Sequence, residues 1–165
     1  MNTQIATTPE QSQRLIACGV NPDSADMCYL YFNSDRGQIS RNEYLRLYCE
    51  TLTDCREELV PKDFVDCNYR DNDSPAWSLS ALLALLPTSL TSAMGNKYML
   101  ELSKLRMHNA WEVQWFNGRE RWRTVDKDKK YHKLWDESPI EACVKAIEWL
   151  TANGYTLNTK KYETD

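Results

Sequence analysis

The sequence predicts an α+β fold: an antiparallel sheet of three to five strands that includes a hairpin over 110–116 and 119–125, with amphipathic helices at about 9–18, 75–86 and 139–152 packed mainly on one face. Three observations carry this. Apolar and polar residues alternate on both sides of Asn117-Gly118, leucines and isoleucines recur at helical spacing over 79–86 and 140–150, and proline-bearing capping sequences open the helical segments.

Thr8-Pro9-Glu10-Gln11 supplies the first such start, with Thr8 as cap, Pro9 in the first turn and Gln11 placed to reach back. Leu15 and Ile16 give this helix its apolar contact, and Gly19 followed by Pro22 ends it. Met27 to Phe32 is an apolar and aromatic run closed by Asn33-Ser34-Asp35-Arg36-Gly37, which reads as a buried strand and a turn. Over 44–49 the alternation of Leu45, Leu47 and Cys49 with Tyr44, Arg46 and Tyr48 favours strand, although Ser40 and Glu43 have capping spacing. Glu57 to Asp73 is acidic and aperiodic and reads as a surface excursion, so 33–73 is a candidate insertion.

Ser74-Pro75 then predicts a helix start, with Leu79, Leu82, Leu83 and Leu86 on one face, Leu85 on its flank and Pro87 as the stop. Tyr98, Leu100 and Leu102 alternate with Met99, Glu101 and Ser103 as a strand does. In the hairpin, a two-residue Asn117-Gly118 turn sets Phe116 opposite Arg119, Val113 opposite Trp122 and Trp111 opposite Thr124. That register gathers Trp111, Val113, Trp115 and Trp122 on one face and pairs Gln114 with Arg121 and Glu112 with Arg123 on the other. Ser138-Pro139-Ile140-Glu141 opens the last helix, whose stripe is Ile140, Cys143, Val144, Ile147 and Leu150 and whose end is Gly154. Residues 158–165 are polar and are expected to fray.

At 165 residues the chain is long enough to bury a core as one domain, and 42% hydrophobic with 27% charged residues is ordinary globular composition. The longest apolar run, Ala81 to Leu86, is too short to cross a bilayer, and Met1 to Thr8 lacks the features of a secretion signal, so a cytoplasmic location is expected. Cysteines 18, 28, 49, 55, 67 and 143 contain no CxxC, which favours reduced thiols, with Cys18, Cys28 and Cys143 acting as small hydrophobes. A metal held by Cys49, Cys55 and Cys67 would have only the distant His108 and His132 to draw on, so neither metal nor cofactor is expected. The net charge of −4 is unevenly spread: residues 1–75 carry 13 acids and 7 bases, residues 76–165 carry 11 acids and 13 bases.

Three segments, Ala25-Asp26-Met27, Pro75-Ala76-Trp77-Ser78-Leu79-Ser80-Ala81-Leu82-Leu83 running to Pro87, and Ser138-Pro139-Ile140-Glu141-Ala142-Cys143, resemble small uncharacterised proteins encoded by phages and mobile elements of gut bacteria. The resemblance implies a genomic setting and brings no activity; 33–73 is longer than the resemblance leads one to expect.

No catalytic constellation is legible. His108 lies in a loop and His132 among lysines, the pairs Asp71/Asp73 and Asp126/Asp128 are explained by turns, Ser78, Ser80 and Ser92 lack a base at motif distance, and the five glycines form no phosphate-binding loop. The reading therefore leans away from an enzyme. Nucleic-acid contact would fall on Arg119, Arg121, Arg123, Lys127, Lys129 and Lys130, continuing to Lys133, with Trp122 and Tyr131 interleaved, but Glu120, Asp126 and Asp128 dilute that edge. A protein partner, or a second copy of the chain, would use aromatic residues left over from the core: Tyr29, Tyr31, Tyr44 and Tyr48. The favoured expectation is a non-catalytic accessory protein acting by protein–protein interaction, with nucleic-acid binding as the alternative.

Overall fold

Thr8 caps the first helix as its neighbours dictate. In the computed structural model its Oγ1 accepts the Gln11 N–H at 3.3 Å, while its own N–H donates to Gln11 Oε1 at 2.9 Å. The structure describes residues 4–33, 37–39, 55–62, 75–122 and 133–158. It divides into two compact units, Ala6–Ser78 and Met1–Ile5 with Leu79–Asp165.

In the first unit, α1 (Pro9–Ala17) ends where Gly19 takes φ +86, the left-handed conformation that glycine accepts without a Cβ clash. Strand β1 (Met27–Asn33) is the centre of its sheet. Along its whole length it pairs antiparallel with β3 (Cys55–Pro61), from Met27 opposite Pro61 to Asn33 opposite Cys55. On its other edge it meets β2 (Gly37–Ile39) and the two-residue β4 (Pro75–Ala76). Residues 57–61 are therefore ladder, not surface excursion: Leu59 and Val60 lie opposite Tyr29 and Cys28, a partnership too distant in sequence to leave a local signal. The strand expected at 44–49 lies outside the described residues.

The helix expected from residue 75 begins later, as α2 (Leu79–Leu85). Pro75 instead opens an edge strand, a position where its missing N–H costs nothing. The next residues are held extended by side chains from elsewhere in the unit. Trp77 N–H donates to Thr7 Oγ1, Thr7 N–H donates to Trp77 O, and Asp26 accepts both the Ser78 N–H at 2.8 Å and its hydroxyl at 2.5 Å. Trp77 is fully buried, and its indole N–H donates to Ser24 Oγ.

The second unit contains a second antiparallel sheet, in the order β5 (Ser89–Thr91), β6 (Lys97–Leu105), β7 (Ala110–Phe116), β8 (Trp135–Asp136). Here the expected hairpin is corrected. The long partner of β7 is β6, from Met99 opposite Phe116 to Leu105 opposite Ala110, and the closing loop is Arg106 to Asn109. Asn117-Gly118 does turn the chain back, with Gly118 at φ +88, but over a wider loop. Asn117 Oδ1 accepts the N–H groups of Arg119 and Glu120, and Phe116 pairs with Arg121, not Arg119. Trp122 donates its N–H to Trp115 O, and β7 is flanked further along by β8, with Trp111 opposite Asp136. Residues 123–125 of the expected arm lie outside the described residues.

Helix α3 (Pro139–Ala152) keeps its expected bounds, with Ser138 Oγ accepting the Glu141 N–H. Ile140, Cys143, Val144, Ile147 and Leu150 are all buried, as are Val113 and Trp115 on β7. Trp115 is inaccessible to solvent and donates its indole N–H to Pro87 O at 2.8 Å, tying the end of α2 to the sheet. Leu85, expected on a flank, is buried beside Leu82 and Leu86. Burial also pushes the Cys143 thiol up to about 12, so it stays protonated and serves as core. Asn158, placed by the sequence in a fraying tail, is held: its N–H donates to Leu85 O and its side-chain amide to Leu86 O, closing the carbonyl end of α2. Among the described residues no helix is long and apolar enough to cross a membrane.

Truncating Trp115 to alanine removes a fully buried indole and orphans the Pro87 carbonyl. The expected cost is roughly 3–5 kcal/mol in urea unfolding, with faster hydrogen exchange over 97–116 and 139–152; unchanged exchange there would contradict this packing.

Candidate site at the β6–β7 loop end

Alternation along β7 and β8 places Trp111 and Asp136 on the face that carries α3, and Glu112 and Trp135 on the opposite face. The contacts agree: Asp136 Oδ2 accepts from Lys145 Nζ of α3 at 2.8 Å. An indole therefore stands on each side of the sheet, close to the loop that joins β6 to β7.

That loop is Arg106-Met107-His108-Asn109, with Asn109 at φ 46, a left-handed position asparagine tolerates better than most residues. All four are exposed, and Met107 keeps 93% of its surface. His108 stacks on Trp135 with centroids 5.8 Å apart and planes 17° from parallel, and Lys133 Nζ lies 5.6 Å from the same ring. Lys104 Nζ lies 5.9 Å from the Trp111 ring. Both tryptophans are half-buried, and Lys104, Arg106 and Lys133 are exposed.

Bases outnumber acids along residues 97–133, ten to five, although Glu137, next to Asp136, is an exposed acid beyond them. Each described carboxylate of that stretch is engaged within the unit: Glu112 with Arg121 at 2.9 Å, Glu120 with the Tyr98 hydroxyl at 2.5 Å, and Glu101 with Gln114 Nε2 at 3.1 Å. The bond to Glu120, with burial and the carboxylate charge, raises the Tyr98 phenol above its ordinary 10.0 and keeps it a donor. Among the described residues, by contrast, no carboxylate lies within ion-pair distance of Lys104, Arg106 or Lys133. Lys104 and Lys133 each lie near a ring, and an exposed cation–π contact is worth about 0.5–1 kcal/mol. Stacking a nucleobase on an aromatic side chain is worth about 1–3 kcal/mol, so such an ammonium is readily displaced from its ring.

The sequence-predicted residues are distributed differently. Arg119 is exposed in the 117–120 loop at the other end of β7, and Arg121 is committed to Glu112, which is only 8% exposed. Arg123, Lys127, Lys129 and Lys130 lie outside the described residues. Tyr29 is half-buried and donates its hydroxyl to Thr7 O at 2.7 Å, so its polar end serves its own unit. Tyr31 is in β1, opposite Ile39 and Glu57; Tyr44 and Tyr48 are outside the described residues. Missed by the sequence reading were Lys104, Arg106, Trp111 and Trp135. The alternation Lys104-x-Arg106-x-His108 and the triplet Lys133-Leu134-Trp135 were the available signals.

Among the described residues, no group of three or more His, Cys, Asp or Glu side chains that could hold a metal ion comes together. Cys28 and Cys143 are buried and Cys18 is half-buried. The geometry brings Trp135, His108 and Lys133 together on one side of an antiparallel sheet and Trp111 with Lys104 on the other. Compared with protein-family models, with curated proteins and with solved structures, the chain finds no match in any of the three.

Asp136 gives the stability of this unit a pH dependence. Burial alone would raise its carboxyl, but the hydrogen bond and charge of Lys145, with the N–H groups of Ser138 and Glu137, outweigh it and hold the group below its ordinary 3.8. The ionised form therefore stabilises the fold at neutral pH; this contribution is complete above the ordinary value and is lost as pH falls through the lower folded one. Asp136→Asn is expected to lower neutral-pH stability and to flatten the loss of stability below about pH 4. Parallel acid-unfolding curves for the two proteins would contradict the assignment.

Proposed function

We propose that this chain is a non-catalytic accessory protein of a phage or mobile element that works by binding a partner, and that it does so through the β6–β7 loop end beside Trp135. The setting rests on the three segments that resemble small phage and mobile-element proteins. The observation that supports the binding surface is the half-buried Trp135, with His108 stacked on it and Lys133 Nζ 5.6 Å from its ring, beside the exposed loop that carries Arg106, while Glu112 across the ladder is paired with Arg121. Among the described residues no carboxylate lies within ion-pair distance of Lys133 or Arg106, so both can offer their charge to an anionic partner. The alternative surface on β1 has less in its favour, because Tyr29 spends its hydroxyl on Thr7.

The test is retention on immobilised heparin as a generic polyanion. The full chain is expected to bind at low salt and to elute as salt rises, and Arg106→Glu with Lys133→Glu to pass through unretained while keeping its circular dichroism spectrum. A wild-type chain that flows through at low salt, or a doubly reversed one that still binds, overturns the reading.

A further inference from the structure

We infer that the occupant of this surface is single-stranded nucleic acid, with Trp135 the ring on which a base stacks and Lys133, with Arg106 of the adjoining loop, the groups that meet phosphates. The inference rests on the polyanion-binding reading above and narrows it to one ligand class. Trp135 is the deciding residue. It is only half-buried, it already holds an imidazole in a near-parallel stack, and a flexible ammonium lies 5.6 Å from its ring. A planar base takes the place of that ammonium as the stronger ring partner, and the freed Lys133 reaches the phosphate that arrives with the base.

An acidic peptide would satisfy the cations and bring nothing in place of the stack. A double helix would satisfy the cations too, but its bases are stacked on one another and offer no free face to an indole. Met107, at the loop tip and 93% exposed, adds an apolar side chain where an unpaired base can rest. The same arrangement predicts weak sequence preference, since every base has a π-face and the contacts to charge are made by phosphates.

The measurement is fluorescence anisotropy of a labelled oligo-dT strand with the full chain at low and moderate salt, set against the same strand in duplex form and against polyglutamate. The single strand is expected to bind tightest and to quench the protein's tryptophan emission. Trp135→Leu is expected to weaken it roughly ten-fold, and Trp135→Tyr, which keeps a ring, to retain most affinity with less quenching. Arg106→Gln and Lys133→Gln should each reduce the slope of log affinity against log salt by about 0.7. If Trp135→Leu does not fold, the quenching lost in Trp135→Tyr decides the question. Polyglutamate or duplex binding at least as tightly, or quenching unchanged in Trp135→Tyr, would overturn the single-strand assignment while heparin retention left the broader reading standing. Failure to bind any polyanion would remove both.

Discussion

Strand β7 has to satisfy two opposed demands at successive residues, and the second unit is arranged around that constraint. Val113 and Trp115 must leave water on one face, while Glu112 and Gln114 must keep polar partners on the other. Because side chains alternate with a period of two, a slip of one residue would bury Glu112 and Gln114 against α3 and expose the indole. Fully burying a large apolar side chain contributes about 1.5–3 kcal/mol, whereas an uncompensated buried carboxylate costs more, so both faces penalise the same error. The pairing of β7 with β6 on one edge and with β8 on the other follows from the register that avoids it.

That constraint explains what could be read from the sequence and what could not. The face carrying Trp111, Val113, Trp115 and Trp122 was legible, because alternation is local; the partner strand was not. Two loops in this region can reverse the chain, Arg106–Asn109 and Asn117–Glu120, and both are flanked by alternating residues. Asn-Gly is the stronger local turn signal, yet the longer ladder forms across Arg106–Asn109, where seven residue pairs reward closure. The same logic applies to Pro75. Ser-Pro before a leucine stripe is a good helix start in isolation, but Thr7, Ser24 and Asp26 offer the backbone and side chains of residues 77 and 78 better partners in an extended conformation. Where all the partners are close in sequence, as in α1 and α3, the bounds were read nearly to the residue.

The site was harder to see for a related reason. A run of like charges is conspicuous in a sequence, so Arg119 to Lys130 drew attention, and Arg121 turns out to neutralise Glu112. What distinguishes Lys104, Arg106 and Lys133 is that no described carboxylate lies within ion-pair distance of them, which depends on where the carboxylates of other strands are bonded. Trp135 and His108 come together only because β8 pairs with β7 next to the β6–β7 loop. Twenty-seven positions separate them in sequence, and nothing local marks either as the other's neighbour.

An acidic chain presenting a cationic surface involves no contradiction once screening is considered. At physiological ionic strength the field of an exposed charge decays over about 8 Å, so a ligand near Trp135 responds to the groups immediately around it more than to a net charge of −4 summed over 165 residues. Glu112 counts fully in that sum, yet its charge is met by Arg121 within the unit. The indoles sharpen the effect. Each holds an ammonium near its face and so localises positive charge at the spot where a ring is also on offer, which ties recognition of charge and recognition of a planar group to the same few side chains. A ligand that supplies only one of the two leaves the other interaction unreplaced, and that is the physical basis on which this surface can discriminate among anions.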